Sequence, residues 1–437
     1  MPMSNLDRTV GPDIRQLPVM PLPALDIIDL PNGCKLKVLN SGSQDVSRLA
    51  VVWRYGFLES DSVETLDEMN ALMTEGTETM SSAQFADAFE FNGAWVKSES
   101  GRHFTMVSVY ALNHTVERIW PLVADMIVHP SFPEASRQTI AEKLGSAERL
   151  SAMKVQTKAN QLCKEMLFGR DSRMARVKTP EAFRAVTRGE ILAQHQRIMR
   201  SMPFTIYLAG RIDADLIERA KEFAAAIAPV AYVSEDLIIS RISKPERSRT
   251  EWKDDPQSLQ TAVRIAIPVI ERTHPDSNLL RWGIYALGGH FGSRLMSNIR
   301  EEKGYTYGIN AMLTHRHEGE YVKISCDCDN RFTGDVLKEI DSEIRRLADD
   351  PIGLEELEIV RSSAMSNILE VLDSPFSIMD LYMTYDWSGI DASTYVERQR
   401  SLQTATPQEV TRALREHFIN APRLIALAGR QDQSSAE

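Results

Sequence analysis

A glycine-rich segment in the second half of the chain leads to the residues with the clearest potential for chemistry. Arg300 follows a predicted helix that begins after Leu287-Gly-Gly-His-Phe-Gly-Ser-Arg-Leu295, and Gly304 and Tyr307 come four and seven residues later. The segment is not a phosphate loop, because the spacing Gly-x4-Gly-Lys-Ser/Thr is absent. A glycine turn would fix the guanidinium on a helix end and the phenol on the next strand, both as hydrogen-bond donors. Alone, the spacing fits a surface arginine and a half-buried strand tyrosine equally well.

The nine histidines form no recognisable zinc motif, since neither His-x-x-Glu-His nor His-Glu-x-x-His occurs. The close pair is His315-Arg-His317, whose rings would face the same way on a strand and, with Glu318, could hold a metal. We favour an exposed strand end or turn before Gly319. No other histidine is assigned as a ligand, and no metal site is expected on this chain.

Four cysteines are too few for a disulfide scaffold, which fits a reduced compartment. Cys326 and Cys328 share one predicted strand face with Val322 and Ile324, because the segment alternates apolar and polar residues. We therefore favour core packing for this pair over a redox or metal role.

Charge and hydropathy restrict the possible partners. Fifty Lys and Arg against 61 Asp and Glu leave a net charge of −11, the wrong sign for binding a phosphate backbone. Met1 to Leu22 has no signal-peptide pattern, and the most apolar segment, Phe223 to Val233, is interrupted by Pro229 and too short to cross a membrane. We expect a cytoplasmic protein with neither nucleic acid nor membrane as partner.

Strands and helices follow one another in an order typical of an α+β fold. Residues 1–25 carry five prolines and are predicted as an extended arm that could bind a partner. The hairpin-like neighbours that follow favour a largely antiparallel sheet with helices on one face. Residues 240–257 are charged, contain prolines and are predicted as a linker.

An internal repeat predicts two homologous domains. Residues 187–213 align without gaps on residues 406–432, with nine identities in 27 positions that include Leu208-Ala-Gly-Arg211 and Leu427-Ala-Gly-Arg430. A helix, a proline turn and a short strand thus occur twice, half a chain apart. We predict domains at 26–239 and 258–437.

The sequence resembles the pitrilysin-like zinc peptidases, the family of insulin-degrading enzyme and the mitochondrial processing peptidases. Arg300, Gly304 and Tyr307 match the family pattern, as do Leu30-Pro-Asn-Gly33 and Asn92-Gly93-Ala94. The resemblance implies two repeated α/β domains per chain. It also implies that Arg300 and Tyr307 hydrogen-bond the substrate peptide and that the tyrosine stabilises the oxyanion.

The zinc motif of that family is degenerate in this chain. Family peptidases carry His-x-x-Glu-His about ten residues before a Gly-Thr pair, and here those positions are Asp67, Asn70 and Ala71, ahead of Gly76-Thr77. The third ligand of the family, a glutamate, would fall near Ser146. A carboxylate, an amide and a methyl group cannot supply two zinc ligands and a base.

The combination resembles the non-catalytic subunit of heterodimeric bacterial members of the family. The resemblance implies a metal-free subunit that binds an unfolded peptide and completes the active site of a zinc-bearing partner, and that does not hydrolyse peptides alone. The alternative is a homodimeric peptide-binding or structural scaffold without a role in proteolysis.

Overall fold

Two sheets, one in each half of the chain, form the framework of the fold. The computed structural model describes Thr9, residues 17–230 and residues 236–431. The strands of the first sheet are β1 (Asp26–Asp29), β2 (Lys35–Asn40), β3 (Val46–Trp53), β4 (Trp95–Ser100), β5 (Thr105–Leu112) and β6 (Phe204–Gly210). Those of the second are β7 (Arg249–Asp254), β8 (Gln260–Pro268), β9 (Thr306–Thr314), β10 (Tyr321–Asp329) and β11 (Leu424–Gly429).

Both sheets have the same strand order. The first runs β1-β2-β6-β3-β5-β4 and the second β7-β11-β8-β10-β9, so β2 to β6 correspond in order to β7 to β11. In each sheet one neighbouring pair is parallel, β2 with β6 and β7 with β11, and the other pairs are antiparallel. The predicted α+β class with two homologous domains is confirmed.

Helices connect the strands in both halves. The first half contains α1 (Val63–Leu72), α2 (Ser82–Phe91), α3 (Val116–Val128), α4 (Glu134–Met153), α5 (Val155–Phe168), α6 (Pro180–Ala185), α7 (Arg188–Met199) and α8 (Ala214–Ala226). The second contains α9 (Ser277–Gly288), a π-helix (Met296–Glu302), α10 (Thr333–Asp349), α11 (Leu354–Glu370), α12 (Pro375–Ser388), α13 (Ser393–Thr404) and α14 (Pro407–His417). Within the part of the chain that the structure describes, every helix is too short or too polar to span a bilayer.

The aligned repeat has the same local structure in both halves. Thr187 and Thr406 each begin a helix, α7 and α14, with a capping box completed by a glutamate three residues later. The strand after each of these helices, β6 or β11, ends in a glycine with a positive φ angle. The identities therefore mark residues that set the helix start and the strand end.

Alternation along the strands produces two apolar faces on each sheet. One face packs against helices of the same half and forms the two large cores, and Cys326 and Cys328 lie in the second of these as predicted. Burial raises the pKa of these thiols to about 11 and about 12, so both remain protonated at neutral pH.

The second face of each sheet is covered by a helix from the other half. Ile378, Met379 and Met383 of α12 pack against the first sheet. In return, α5 packs against β8 and β11 of the second sheet through residues that include Leu162 and Met166. Helices therefore cover one face of each sheet, as predicted, and the exchange of α5 and α12 covers the other face as well.

Two segments differ from their predicted roles. Residues 249–254, inside the predicted linker 240–257, form strand β7, which pairs with β11. The alternating charges of this edge strand concealed it in the sequence. The described end of the proline-rich arm contacts the chain itself: Tyr382 donates to the carbonyl of Pro23, and Gln399 exchanges hydrogen bonds of 2.8 Å with the backbone of Met20. Residues 1–8 and 10–16 lie outside the described residues.

Candidate functional site

Arg300 and Tyr307 both lie at the surface of the second half. Arg300 is in the last turn of the π-helix, and Tyr307 is the second residue of β9. The tyrosine is 95% exposed, in contrast to the half-buried position that the spacing alone allowed. The Arg300 side chain is 33% exposed, and its guanidinium lies 4.6 Å from the ring centre of Phe291 and 3.8 Å from the Glu301 carboxylate. Both donors can therefore reach a ligand from solvent.

The turn between them explains how the two residues are placed. Gly304 has a φ of +64°, a conformation that residues with a side chain adopt at a cost. Its amide donates to the carbonyl of Arg300 at 3.2 Å, which closes the helix end before β9 begins. Gly93 precedes the equivalent strand β4 with a φ of +61°, so the two glycine turns hold equivalent positions in the two halves.

A bulge orients Tyr307 outwards. The pairing of β9 with β10 shifts register between Cys326 and Cys328, and both Tyr307 and Gly308 are exposed. The Thr306 hydroxyl lies 2.9 Å from the carbonyl of Gly308 and 2.7 Å from that of Asp327, and so holds the irregular segment in place.

Tyr307 lies on a free sheet edge. Among the described strands β9 pairs with β10 alone, and it ends the second sheet. Asn310 and Met312 are also exposed on β9, while Ile309 and Ala311 are buried. An edge strand presents unpaired amide and carbonyl groups, which can pair with an extended peptide. Strand β4 ends the first sheet in the same way, with Trp95 56% exposed.

The three degenerate zinc-motif positions lie together on α1, but they carry other interactions. Asp67 forms an ion pair of 2.5 Å with Lys178. The Asn70 amide donates to Ser100 at 2.8 Å and accepts from Ser98 at 2.6 Å, so it ties α1 to β4. Ala71 offers no ligand atom. No hydrogen bond, ion pair or ring contact within the described part of the chain joins these residues to Arg300 or Tyr307.

The residues of α1 do not fit zinc. A lysine ammonium already neutralises the one carboxylate of the motif, and the amide is used in hydrogen bonds to β4. Ser146, the third predicted position, is exposed on α4. A stable zinc site needs three or four nitrogen, oxygen or sulfur ligands around one point, which these side chains cannot supply.

Another group meets the geometric minimum for a metal among the described residues. Ligand atoms of His274, Asp276 and His417 lie within 4.8 Å of one another. Arg412 donates to Oδ1 and Oδ2 of Asp276 at 2.6 and 2.8 Å, and it holds the pKa of that carboxyl well below its usual range. The guanidinium therefore takes the place that a cation would need, and the group is an ion network at the start of α9.

His315 and His317 also lack the predicted arrangement. His317 Nε2 lies 2.6 Å from the carbonyl of Trp387, while the His315 side chain is only 7% exposed, so the expectation of an exposed strand end is wrong for His315. The segment does form a turn before Gly319, and Gly319 donates its amide to the carbonyl of Arg316. Packing against α12, which the local sequence cannot reveal, buries this turn.

A buried junction between the halves was not predicted. His103 Nδ1 lies 2.8 Å from Glu59, and its Nε2 lies 2.8 Å from Glu318 in the second half. Hydrogen bonds to the two carboxylates oppose the effect of burial and raise the pKa of His103 to about 9, so the ring is charged at neutral pH. Glu318 is 215 residues away in sequence, and no local pattern relates them.

Comparisons with known proteins find a family match in the middle of the chain and a relative that spans most of it. Residues 185–363 match the family described as Peptidase M16 inactive domain. A Mycobacterium leprae protein named as an uncharacterized zinc protease is 24% identical over 322 residues, which are 70% of this chain and 69% of that protein.

Solved structures share the fold over nearly the whole chain. A peptidase M16 inactive domain from Pseudomonas fluorescens has a TM-score of 0.82 at 20% identity and covers 93% of this chain and 98% of its own. A Helicobacter pylori protease has a TM-score of 0.80 at 13% identity, with 93% and 100% covered. The Escherichia coli periplasmic protease PqqL has a TM-score of 0.76 at 14% identity; 98% of this chain corresponds to 49% of that protein.

Proposed function

We propose that this chain, a pitrilysin-like homologue with a Peptidase M16 inactive domain, is a non-catalytic subunit that binds peptide for a zinc-bearing partner. Arg300 and Tyr307 would be its contribution to the shared active site. The zinc-bearing chain would supply the metal and the general base, which the motif positions Asp67, Asn70 and Ala71 do not provide.

One observation carries the proposal: a 95% exposed tyrosine at the free edge of a sheet, joined by a glycine turn to an accessible arginine at the end of the preceding helix. A peptide paired to β9 would place its backbone carbonyls close to both donors. A phenol and a guanidinium held in this way can stabilise the negative charge that develops on a carbonyl oxygen during hydrolysis. An exposed tyrosine on a bulged strand has no packing role that would otherwise explain it.

The test is a peptidase assay on the chain assembled with a homologous subunit that carries an intact His-x-x-Glu-His. We expect Arg300→Ala and Tyr307→Phe each to lower kcat/KM by about a hundredfold to a thousandfold, the range for loss of one oxyanion donor. Arg331→Ala and Tyr382→Phe are matched controls, because Arg331 is exposed and Tyr382 bonds the arm.

Association of the two subunits is measured in parallel by size exclusion. Variants of Arg300 and Tyr307 that assemble normally and keep full peptidase activity would rule out the proposed role. A homodimer that binds peptide and never associates with a zinc-bearing chain would favour the alternative, a peptide-binding scaffold.

A further inference from the structure

A cluster of basic side chains in the second half contains two arginines that have no ion pair with any described residue. Arg281 comes from α9, Arg398 from α13, Tyr385 from α12 and His315 from the turn after β9. Helix α9 packs directly against α13, and the charges of the two arginines act on each other and on His315. The four side chains thus form one group, which includes neither Arg300 nor Tyr307.

Polar atoms of this group are buried without partners. The Nε atoms of Arg281 and Arg398, the Tyr385 hydroxyl and both ring nitrogens of His315 are shielded from solvent and have no hydrogen bond to any described residue. Tyr385 is 3% exposed and the His315 side chain 7%. Buried donors are normally satisfied, so several orphans in one place indicate a missing partner.

Other buried arginines of the chain show what is missing. Arg294 donates to both oxygens of Glu356 at 2.8 and 2.7 Å, and Arg264 donates to Asp327 at 2.8 Å. Arg281 and Arg398 have no ion pair with any residue in the described ranges, although both are largely enclosed. Burial of a charge without a partner lowers stability, and this region of the fold buries two such charges, those of Arg281 and Arg398.

One carboxylate lies beside His315, but it forms no ion pair with either arginine. Glu320 lies 3.6 Å from His315 Nδ1, while Arg272, which also faces Arg398, adds a further positive charge and donates to the carbonyls of Ser388 and Gly389. Burial and the neighbouring arginines lower the pKa of His315 to about 4, so the ring is neutral and keeps one N–H donor. Burial and the charge of Arg398 also lower the pKa of Arg281.

We infer that Arg281 and Arg398, with the Tyr385 hydroxyl, bind an oxyanion, a phosphate or carboxylate group. Two guanidinium forks and a phenol supply directed donors that match the oxygens of such a group, and its negative charge offsets theirs. The site includes neither Arg300 nor Tyr307 and does not depend on the proposed peptidase role.

The test measures thermal unfolding of the full chain in inorganic phosphate, in acetate and in sodium chloride at equal ionic strength. A ligand that binds only the folded state raises Tm as its concentration increases. We expect a rise in phosphate or acetate beyond that in chloride, and the stronger of the two identifies the chemical source. Isothermal titration with the same anions gives the affinity.

Variants separate a specific site from general charge effects. Arg281→Gln and Arg398→Gln are each expected to weaken anion binding at least about tenfold, the loss expected for a charge-assisted hydrogen bond. Arg331→Gln changes the net charge equally at an exposed position and should bind like the wild type. Without oxyanion, Arg398→Met should be at least as stable as the wild type, because an unmatched charge is removed.

Arg398→Lys is used if a neutral variant fails to fold. Lysine keeps the positive charge but lacks the planar guanidinium group that donates two parallel hydrogen bonds. The affinity of this variant should still fall. Equal Tm values of the wild type in all three salts, or wild-type affinity in the Arg281 and Arg398 variants, would overturn the inference.

Discussion

At the scale of single residues, helix α1 has no complete set of zinc ligands at Asp67, Asn70 and Ala71, and it carries a buried carboxylate beside them. Glu68 has a fully buried side chain, neither oxygen has a hydrogen-bond partner among the described residues, and Arg137 lies 3.7 Å away. Desolvation raises the pKa of Glu68 to about 7, despite the opposing charge of Arg137. The sequence could predict the missing ligands from residue types, but not this shift, because burial depends on tertiary packing.

The raised pKa has a consequence for stability. The folded state holds a proton on Glu68 that the unfolded chain releases near pH 4.5, so this contribution is full below pH 4.5 and is lost as pH rises through about 7. We expect Glu68→Gln to be more stable than the wild type at pH 8, by up to about 3 kcal/mol. Urea unfolding at pH 5 and pH 8 measures the difference in stability between the variant and the wild type. Glu90→Gln, at an exposed position, is the control. A variant whose stability falls over that range as much as the wild type's would contradict the prediction.

At the scale of elements, the periodic and capped segments could be predicted and the edges could not. The alignment of Thr187 with Thr406 identified two equivalent helix starts, because capping boxes leave a local signature. Strand β4 was missed, since four of the six residues in its sequence Trp-Val-Lys-Ser-Glu-Ser are polar, as suits a sheet edge. The exchange of α5 and α12 could not be predicted, because an apolar helix face does not specify which sheet it will cover.

The glycine turn before β9 gives a prediction at this scale. Gly304→Ala should lower stability by about 1 kcal/mol, because an L-residue is strained at φ +64° although no atom lies within 4 Å of the added Cβ. Gly93→Ala is the matched control, with φ +61° and ordinary contact with Leu112. Both should cost similar stability in urea unfolding, but only Gly304→Ala should lower the peptidase activity of the assembled pair. If both variants gave the assembled pair the same peptidase activity, the Gly304 turn would have no role in peptide binding.

At the scale of the whole molecule, the two halves are joined by exchanged helices and by a buried charged junction. Helix α12 adds ion pairs to its apolar contacts, including Arg48 with Asp380 at 2.5 Å. His103 links Glu59 to Glu318 across the junction, with Arg102 and His317 also facing it. The repeat could reveal two units, but contacts between them involve residues with no sequence relation.

The junction predicts a dependence of stability on pH. The pKa of His103 is raised from 6.5 to about 9, so its contribution is full below pH 6.5 and is lost as pH rises through about 9. Loss of this contribution lowers the free energy of unfolding by about 3 kcal/mol. We expect His103→Gln to be less stable than the wild type at pH 6, with a smaller difference at pH 9.5, as measured by urea unfolding. Exposed His114→Gln should show no difference at either pH. A constant difference for His103→Gln would contradict the charged junction.

The central claim is that this chain does not hydrolyse peptides alone and completes the active site of another subunit. The most direct measurement is peptide hydrolysis, with zinc present, by this chain alone, by a zinc-bearing homologous subunit alone and by the two together. We predict cleavage by the pair at a rate far above that of either chain. Zinc-dependent cleavage by this chain alone would contradict the claim. So would a zinc-bearing subunit that assembles with this chain and cleaves peptide no faster than it does alone.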